Sequence, residues 1–147
     1  FPPEERAAAL TGLREYMTGN TNARIVVGGR RASFEGKMPG IVEEVLLSLE
    51  RRQPVYLAGG FGGATLDIIR TLRPDFSDWL APQAGAPEAD PRLTEGLRRI
   101  NQVAVEKGWD GFANGLSDDE SRLLAASYRP SEISALVGRG LGKLLPE

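Results

Sequence analysis

The sequence has no histidine and no cysteine among its 147 residues. The first absence removes the commonest general base and metal ligand at neutral pH. The second removes disulfides and thiolate chemistry and fits a cytoplasmic setting. Ser-His-Asp triads, Cys-His dyads and zinc sites are thereby excluded from this chain. An excess of one charge is also lacking. With 18 Lys and Arg against 20 Asp and Glu, the net charge is −2, where a general nucleic-acid binder shows a basic surplus. No apolar run approaches the roughly 18 residues of a membrane span. Neither nucleic acid nor membrane is therefore expected as a partner, and neither a metal nor a cofactor is expected. What remains, 41% hydrophobic and 26% charged residues, is the composition of one ordinary globular domain, 1–147, long enough to bury a core.

The chain is organised around Pro54-Val55-Tyr56-Leu57-Ala58-Gly59-Gly60-Phe61-Gly62-Gly63. Residues 55–57 read as a short buried strand, and Ala64 to Leu72 as a helix. Strand, glycine turn and helix is a geometry in which backbone N–H groups and a helix N-terminus meet an anion. Glycine permits positive φ and a close approach by a ligand. The plain alternative is a tight turn with no ligand.

Upstream, Pro2-Pro3-Glu4-Glu5 opens a helix that runs to about Met17, with Ala7, Leu10, Leu13 and Met17 at helical spacing. Ile25-Val26-Val27 is a strand running into Gly28-Gly29. A polar loop with Arg30, Arg31 and Lys37 follows, and Pro39-Gly40 opens a second helix. Its apolar face holds Ile41, Val42, Val45, Leu46 and Leu49, leaving Glu43, Glu44 and Glu50 on the other side. The two strands and the helix between them form a βαβ unit with a right-handed crossover. Downstream, Arg73-Pro74 stops regular structure, residues 81–91 have the composition of an exposed loop, and 91–107 read as a helix ended by Gly108. Residues 111–116 read as a turn. Ser117-Asp118-Asp119-Glu120 is a capping-box pattern opening a short helix to Ala126. A last helix begins near Ser131, with Ile133, Leu136, Val137, Leu141 and Leu144 on one face. The fold class expected is α/β, a Rossmann-like parallel sheet with flanking helices. Two strands do not make a stable sheet. With Phe1 in place of an initiator Met, the chain reads as the C-terminal part of a longer protein, lacking its N-terminal strand or strands.

Both glycine turns fall at the C-terminal ends of consecutive parallel strands, the edge where open α/β sheets bind ligands. The cations of the first loop share that edge, and guanidinium groups beside exposed N–H groups suit phosphate. Glu43 or Glu44 is placed to reach a ribose hydroxyl, or is simply a first-turn acid suited to the helix dipole. Asp67 faces the same choice. Phe61 stacks on a base or folds under its turn, and both readings stay open. Trp79 and Trp109 read as core or interface aromatics. Neither G-x-G-x-x-G nor the P-loop pattern is present, so dinucleotide oxidoreduction and NTP hydrolysis lose support.

These stretches, Val26 to Arg30, Gly36 to Glu44 and Pro54 to Gly63, with Asn114 to Glu120 more loosely, resemble the SLOG superfamily. That group takes in the LOG phosphoribohydrolases, the Smf/DprA proteins and sensor domains of TRPM channels and bacterial antiviral systems. The resemblance covers residues 24–73 well and 111–141 loosely. It implies a Rossmann-like domain binding a nucleotide-derived small molecule, ADP-ribose-like or cyclic, as a sensor for an effector in a longer protein. It implies that Gly28, Gly29 and Arg30 hold one end of the ligand and that Gly59, Gly60, Phe61, Gly62 and Gly63 cradle its phosphates. Arg31, Lys37, Gly40 and Glu44 complete the candidate ligand-binding set. The hydrolase branch carries P-G-G-x-G-T-x-x-E, whose Pro, Thr and Glu are Ala58, Gly63 and Leu66 here. That departure disfavours an enzyme. A phosphoribohydrolase cleaving the N-glycosidic bond of a nucleoside monophosphate, with Glu43, Glu44 or Asp67 as acid or base, is the first alternative. An assembly domain is the second. A homo-oligomer, or association with the rest of a larger protein, is expected to supply the missing strands.

Overall fold

The computed structural model describes residues 2–80 and 90–147. Of the expected loop 81–91, residues 81–89 lie outside the described residues, and Asp90 and Pro91 open a helix. In chain order the elements are α1 (Pro3–Gly19), β1 (Arg24–Val27), α2 (Gly40–Glu50), β2 (Val55–Ala58), α3 (Gly63–Leu72), a 3₁₀ turn at Pro74–Phe76, α4 (Pro91–Lys107), α5 (Asp118–Ala126) and α6 (Pro130–Leu144). Local chemistry sets the boundaries. Proline occupies the first turn of α1, α4 and α6, where its missing N–H costs nothing. The Asp90 carboxylate accepts from the Arg92 N–H, and Gly108 ends α4 in the left-handed conformation. Ser117 and Glu120 form the full reciprocal capping box of α5.

Among the described residues the sheet has two parallel strands, with Ile25 opposite Tyr56 and Val27 opposite Ala58. This mixed α/β arrangement fits a Rossmann-like fold. One sheet face, from Val26, Val55 and Leu57, packs against α2, α3 and α4 through Val42, Leu49, Ile68, Leu93 and Ile100. Among the described residues the other face is covered over β2, where Tyr56 and Ala58 meet Leu124 of α5 and Ile133, Leu136 and Val137 of α6. Ile25 and Val27, on the same face, are 53% and 41% exposed. The edges differ as well. At β2, Val55 donates its N–H to the Gly111 carbonyl, and Asn114 Nδ2 donates to the Val55 carbonyl, both at 2.9 Å. Beyond β2, no strand pairs with β1 among the described residues. No helix there is long and apolar enough to cross a membrane.

Several details depart from the sequence reading. Glu43, expected on the polar side of α2, is buried, because α1 brings Thr11 and Arg14 onto its carboxylate. The α1 residues Leu13 and Met17 are exposed, with Tyr16 beside them, since that helix turns its Thr11-Arg14-Thr18 stripe inward. In α6, Leu141 and Leu144 are partly exposed while Gly140 is buried. A Cβ at Gly140 would lie 2.7 Å from the Tyr56 ring, so glycine lets the helix close on β2. Regular structure resumes briefly after Arg73, as Phe76 enters the core and packs edge-on against Phe112. Trp109 packs on the core and donates Nε1–H to the Gln53 carbonyl, whereas Trp79 is 60% exposed and is no core residue.

Candidate functional site

The two glycine turns meet at the C-terminal edge of the sheet. Gly28, Gly29, Gly62 and Gly63 all have positive φ, which favours glycine. The Ala64 N–H donates to the Gly29 carbonyl at 3.1 Å, and the Thr65 N–H to the Gly28 carbonyl at 2.8 Å. A Cβ on Gly63 would lie 2.5 Å from the Gly29 oxygen. The first turn therefore caps the N-terminus of α3, taking donors that a helix end otherwise leaves unfilled.

The second turn is also met by its own chain. The Gly60 N–H donates to the Ser127 carbonyl at 3.2 Å, and Gly62 N–H to the Gly59 carbonyl at 2.9 Å. A Cβ on Gly59 would strike the Ala125 carbonyl, and one on Gly60 the Ser127 carbonyl. The close approach that these glycines permit is made by the end of α5. An anion at this turn would have to displace these carbonyls. Phe61 stands 53% exposed beside it.

A cleft of about 360 Å³ lies beside the loop that follows the first turn, within the roughly 300–1,000 Å³ of small-molecule sites; neither Gly28 nor Gly29 lines it. Arg30, Phe34 and Glu35 of the loop line it, with Gly40 and Glu44 of α2 and Arg14 of α1. The loop is pinned from two sides. Arg92 of α4 donates to the Gly36 carbonyl at 3.1 Å and stacks its guanidinium 4.1 Å from the Phe34 ring centroid. Arg6 of α1 pairs with Glu35 at 3.0 Å. Arg30 is exposed and donates to the Ser33 carbonyl at 3.2 Å.

The three candidate carboxylates have different surroundings. Glu43 accepts from Thr11 at 3.1 Å and Arg14 at 3.0 Å inside the α1–α2 contact. Asp67 takes a bidentate pair from Arg31, at 2.7 and 3.2 Å, and Nη1 of Arg31 is buried without a hydrogen-bond partner. Glu44 lines the cleft. Its Oε2 accepts from Arg24 at 2.9 Å, and Arg24 is itself fixed by Ser48 and Thr18. Its Oε1 lies 3.9 Å from Nε of Arg14. Lys37 lines a different cleft of about 180 Å³, with Glu43, Glu50 and Arg99. The structure thus gathers Arg30, Gly40 and Glu44 from the candidate set, pairs Arg31 with Asp67, and sets Lys37 apart.

Sequence reasoning missed Arg14, Arg24 and Arg92. The one available signal was the polar stripe Thr11, Arg14 and Thr18 at helical spacing on α1. A further cleft of about 340 Å³, walled by α4 and Trp109, contains none of the candidate site residues. Among the described residues no three acidic groups gather to hold a metal ion.

Comparison with the curated proteins and with the solved structures finds no match. A family model described as SLOG cluster2 matches residues 3–124, a span that contains both glycine turns and the whole cleft and stops short of α6. The chain belongs to the SLOG superfamily, whose domains are nucleotide-related.

Proposed function

We propose that this domain is a sensor: it binds a nucleotide-derived small molecule at the cleft of Arg30 and Glu44 and reports it to an effector elsewhere in a longer cytoplasmic protein. One observation carries the reading. A phosphate-type cation, Arg30, and a carboxylate suited to sugar hydroxyls, Glu44, line one cleft at the ligand edge of the sheet. The family's nucleotide chemistry and a cleft that reaches the first turn of α2 at Gly40 and Ile41 support it. Against turnover stands the buried Leu66 where the hydrolase motif has its Glu. Glu43, Glu44 and Asp67, the acids considered for catalysis, are each tied to an arginine. ADP-ribose-like and cyclic nucleotides are the ligands favoured. The exposed Ile25 and Val27, beside the open edge of β1, support completion of the sheet by strands from the rest of the protein or a second copy.

The test is calorimetric titration with ADP-ribose, its cyclic forms, NAD and AMP, repeated with Arg30→Ala, alongside chromatography for released base. The expected outcome is saturable binding of at least one ligand, weakened about tenfold or more by Arg30→Ala, with no base released. Released base would establish the phosphoribohydrolase instead. No binding across the panel would leave an assembly domain.

A further inference from the structure

The cleft contains a second guanidinium, on a helix with no role in the reading above. Arg14 comes from α1, and its side chain is 15% exposed. Nη1 is anchored to Glu43 at 3.0 Å, and Thr11 holds the far oxygen of the same carboxylate at 3.1 Å. This fixes the guanidinium plane. Nη2 then lies against Gly40, 2.7 Å from where a Cβ would stand, and Nε lies 3.9 Å from Oε1 of Glu44. That last separation is too long for a hydrogen bond. Arg14 and Glu44 therefore face one cleft as a loose ion pair with no hydrogen bond between them, Glu44 keeping Oε1 open while Arg24 holds its Oε2. They do so at the first turn of a helix whose leading N–H groups have no intrahelical partner.

We propose that Arg14 is a ligand-contacting residue, and that with Glu44 it selects a phosphorylated sugar. The guanidinium donates to a phosphate oxygen, and the carboxylate accepts from a sugar hydroxyl a bond or two away. The inference rests on the nucleotide-binding reading and deepens it by naming the part of the ligand this cleft holds. Fixing Arg14 through a buried carboxylate is what makes it useful, since the side chain is ordered before the ligand arrives. A purely structural Arg14 would only neutralise Glu43.

These roles separate in an AMP titration. Arg14→Gln alone leaves Glu43 buried without its cation and is expected to destabilise the fold. The double variant Arg14→Gln/Glu43→Gln removes both charges, and Arg14→Lys keeps the cation. Melting curves verify folding of each. The expected result is AMP binding weakened at least about tenfold in the double variant and largely retained in Arg14→Lys, the loss of one charge-assisted hydrogen bond. AMP binding unchanged in a folded double variant, or lost equally in Arg14→Lys, overturns the contact while the sensor reading stands. If the unaltered protein binds neither AMP nor ADP-ribose, the nucleotide reading fails, and the assignment of Arg14 fails with it.

Discussion

The two glycine turns look alike in sequence and differ in what fills them. At Gly59-Gly60 the space that a side chain would need is occupied by the backbone of residues 125–127, and the Gly60 N–H is bonded there. At Gly28 nothing lies within 4 Å of the position a Cβ would take, and the loop beyond opens on the cleft of Arg14, Arg30 and Glu44. A glycine can be needed because something comes close or because its φ is positive, and only the neighbours tell which. The second turn is a packing joint between β2 and α5. The first is a bend whose carbonyls cap α3 and whose Gly29 is closed in by the Ile41 side chain, while Gly28 stands in open space.

The strongest way to break this comparison is to add one methyl group to each turn. In Gly60→Ala the new carbon meets backbone that has no flexible side chain to yield, so the α5–α6 junction must shift. A loss of about 3 kcal/mol or more is expected, read as a lower urea midpoint at unchanged slope. In Gly28→Ala the φ of +63° is the only penalty, about 1–2 kcal/mol. Equal losses would mean that the turns are not different in kind. A tolerant Gly60 would mean that α5 does not hold the second turn.

Much of the fold was legible because local chemistry and tertiary packing agree. The prolines at α1, α4 and α6, the Ser117 capping box and Gly108 mark helix ends by mechanisms that need no distant partner. The candidate cleft was legible in outline only, through Arg30 and Glu44, which line it. Glu43 looked like Glu44 in sequence, and their fates diverge because α1 delivers Arg14 to one and β1 delivers Arg24 to the other. Those partners stand 29 and 20 residues away, beyond any local pattern. For the same reason the backbone that approaches the glycines at 59 and 60, more than sixty residues downstream, was not legible in them.

The smallest expected effect concerns the cap that starts α5 and hence the segment covering the second turn. The Glu120 carboxylate is held below its ordinary pKa, first by the hydrogen bond from the Ser117 N–H and then by the charges of Arg139 and Lys143. A carboxyl whose folded value is depressed contributes stability that is fully present above its unfolded value and is lost as pH falls through the folded one. Acid should therefore loosen the start of α5 while neutral solution leaves it intact. Glu120→Gln keeps a capping-box acceptor but cannot titrate, so it isolates this group from the other carboxylates that acid also protonates. Amide exchange, normalised to intrinsic rates, should show the Ser117 and Gly60 N–H groups losing protection in acid in the unaltered protein. The variant should respond less at both. The Gly29 N–H should respond alike in the two proteins, because the first turn does not depend on α5. Identical acid profiles at Gly60 would uncouple the cap from the second turn and reduce that joint to the contact at Ser127 alone.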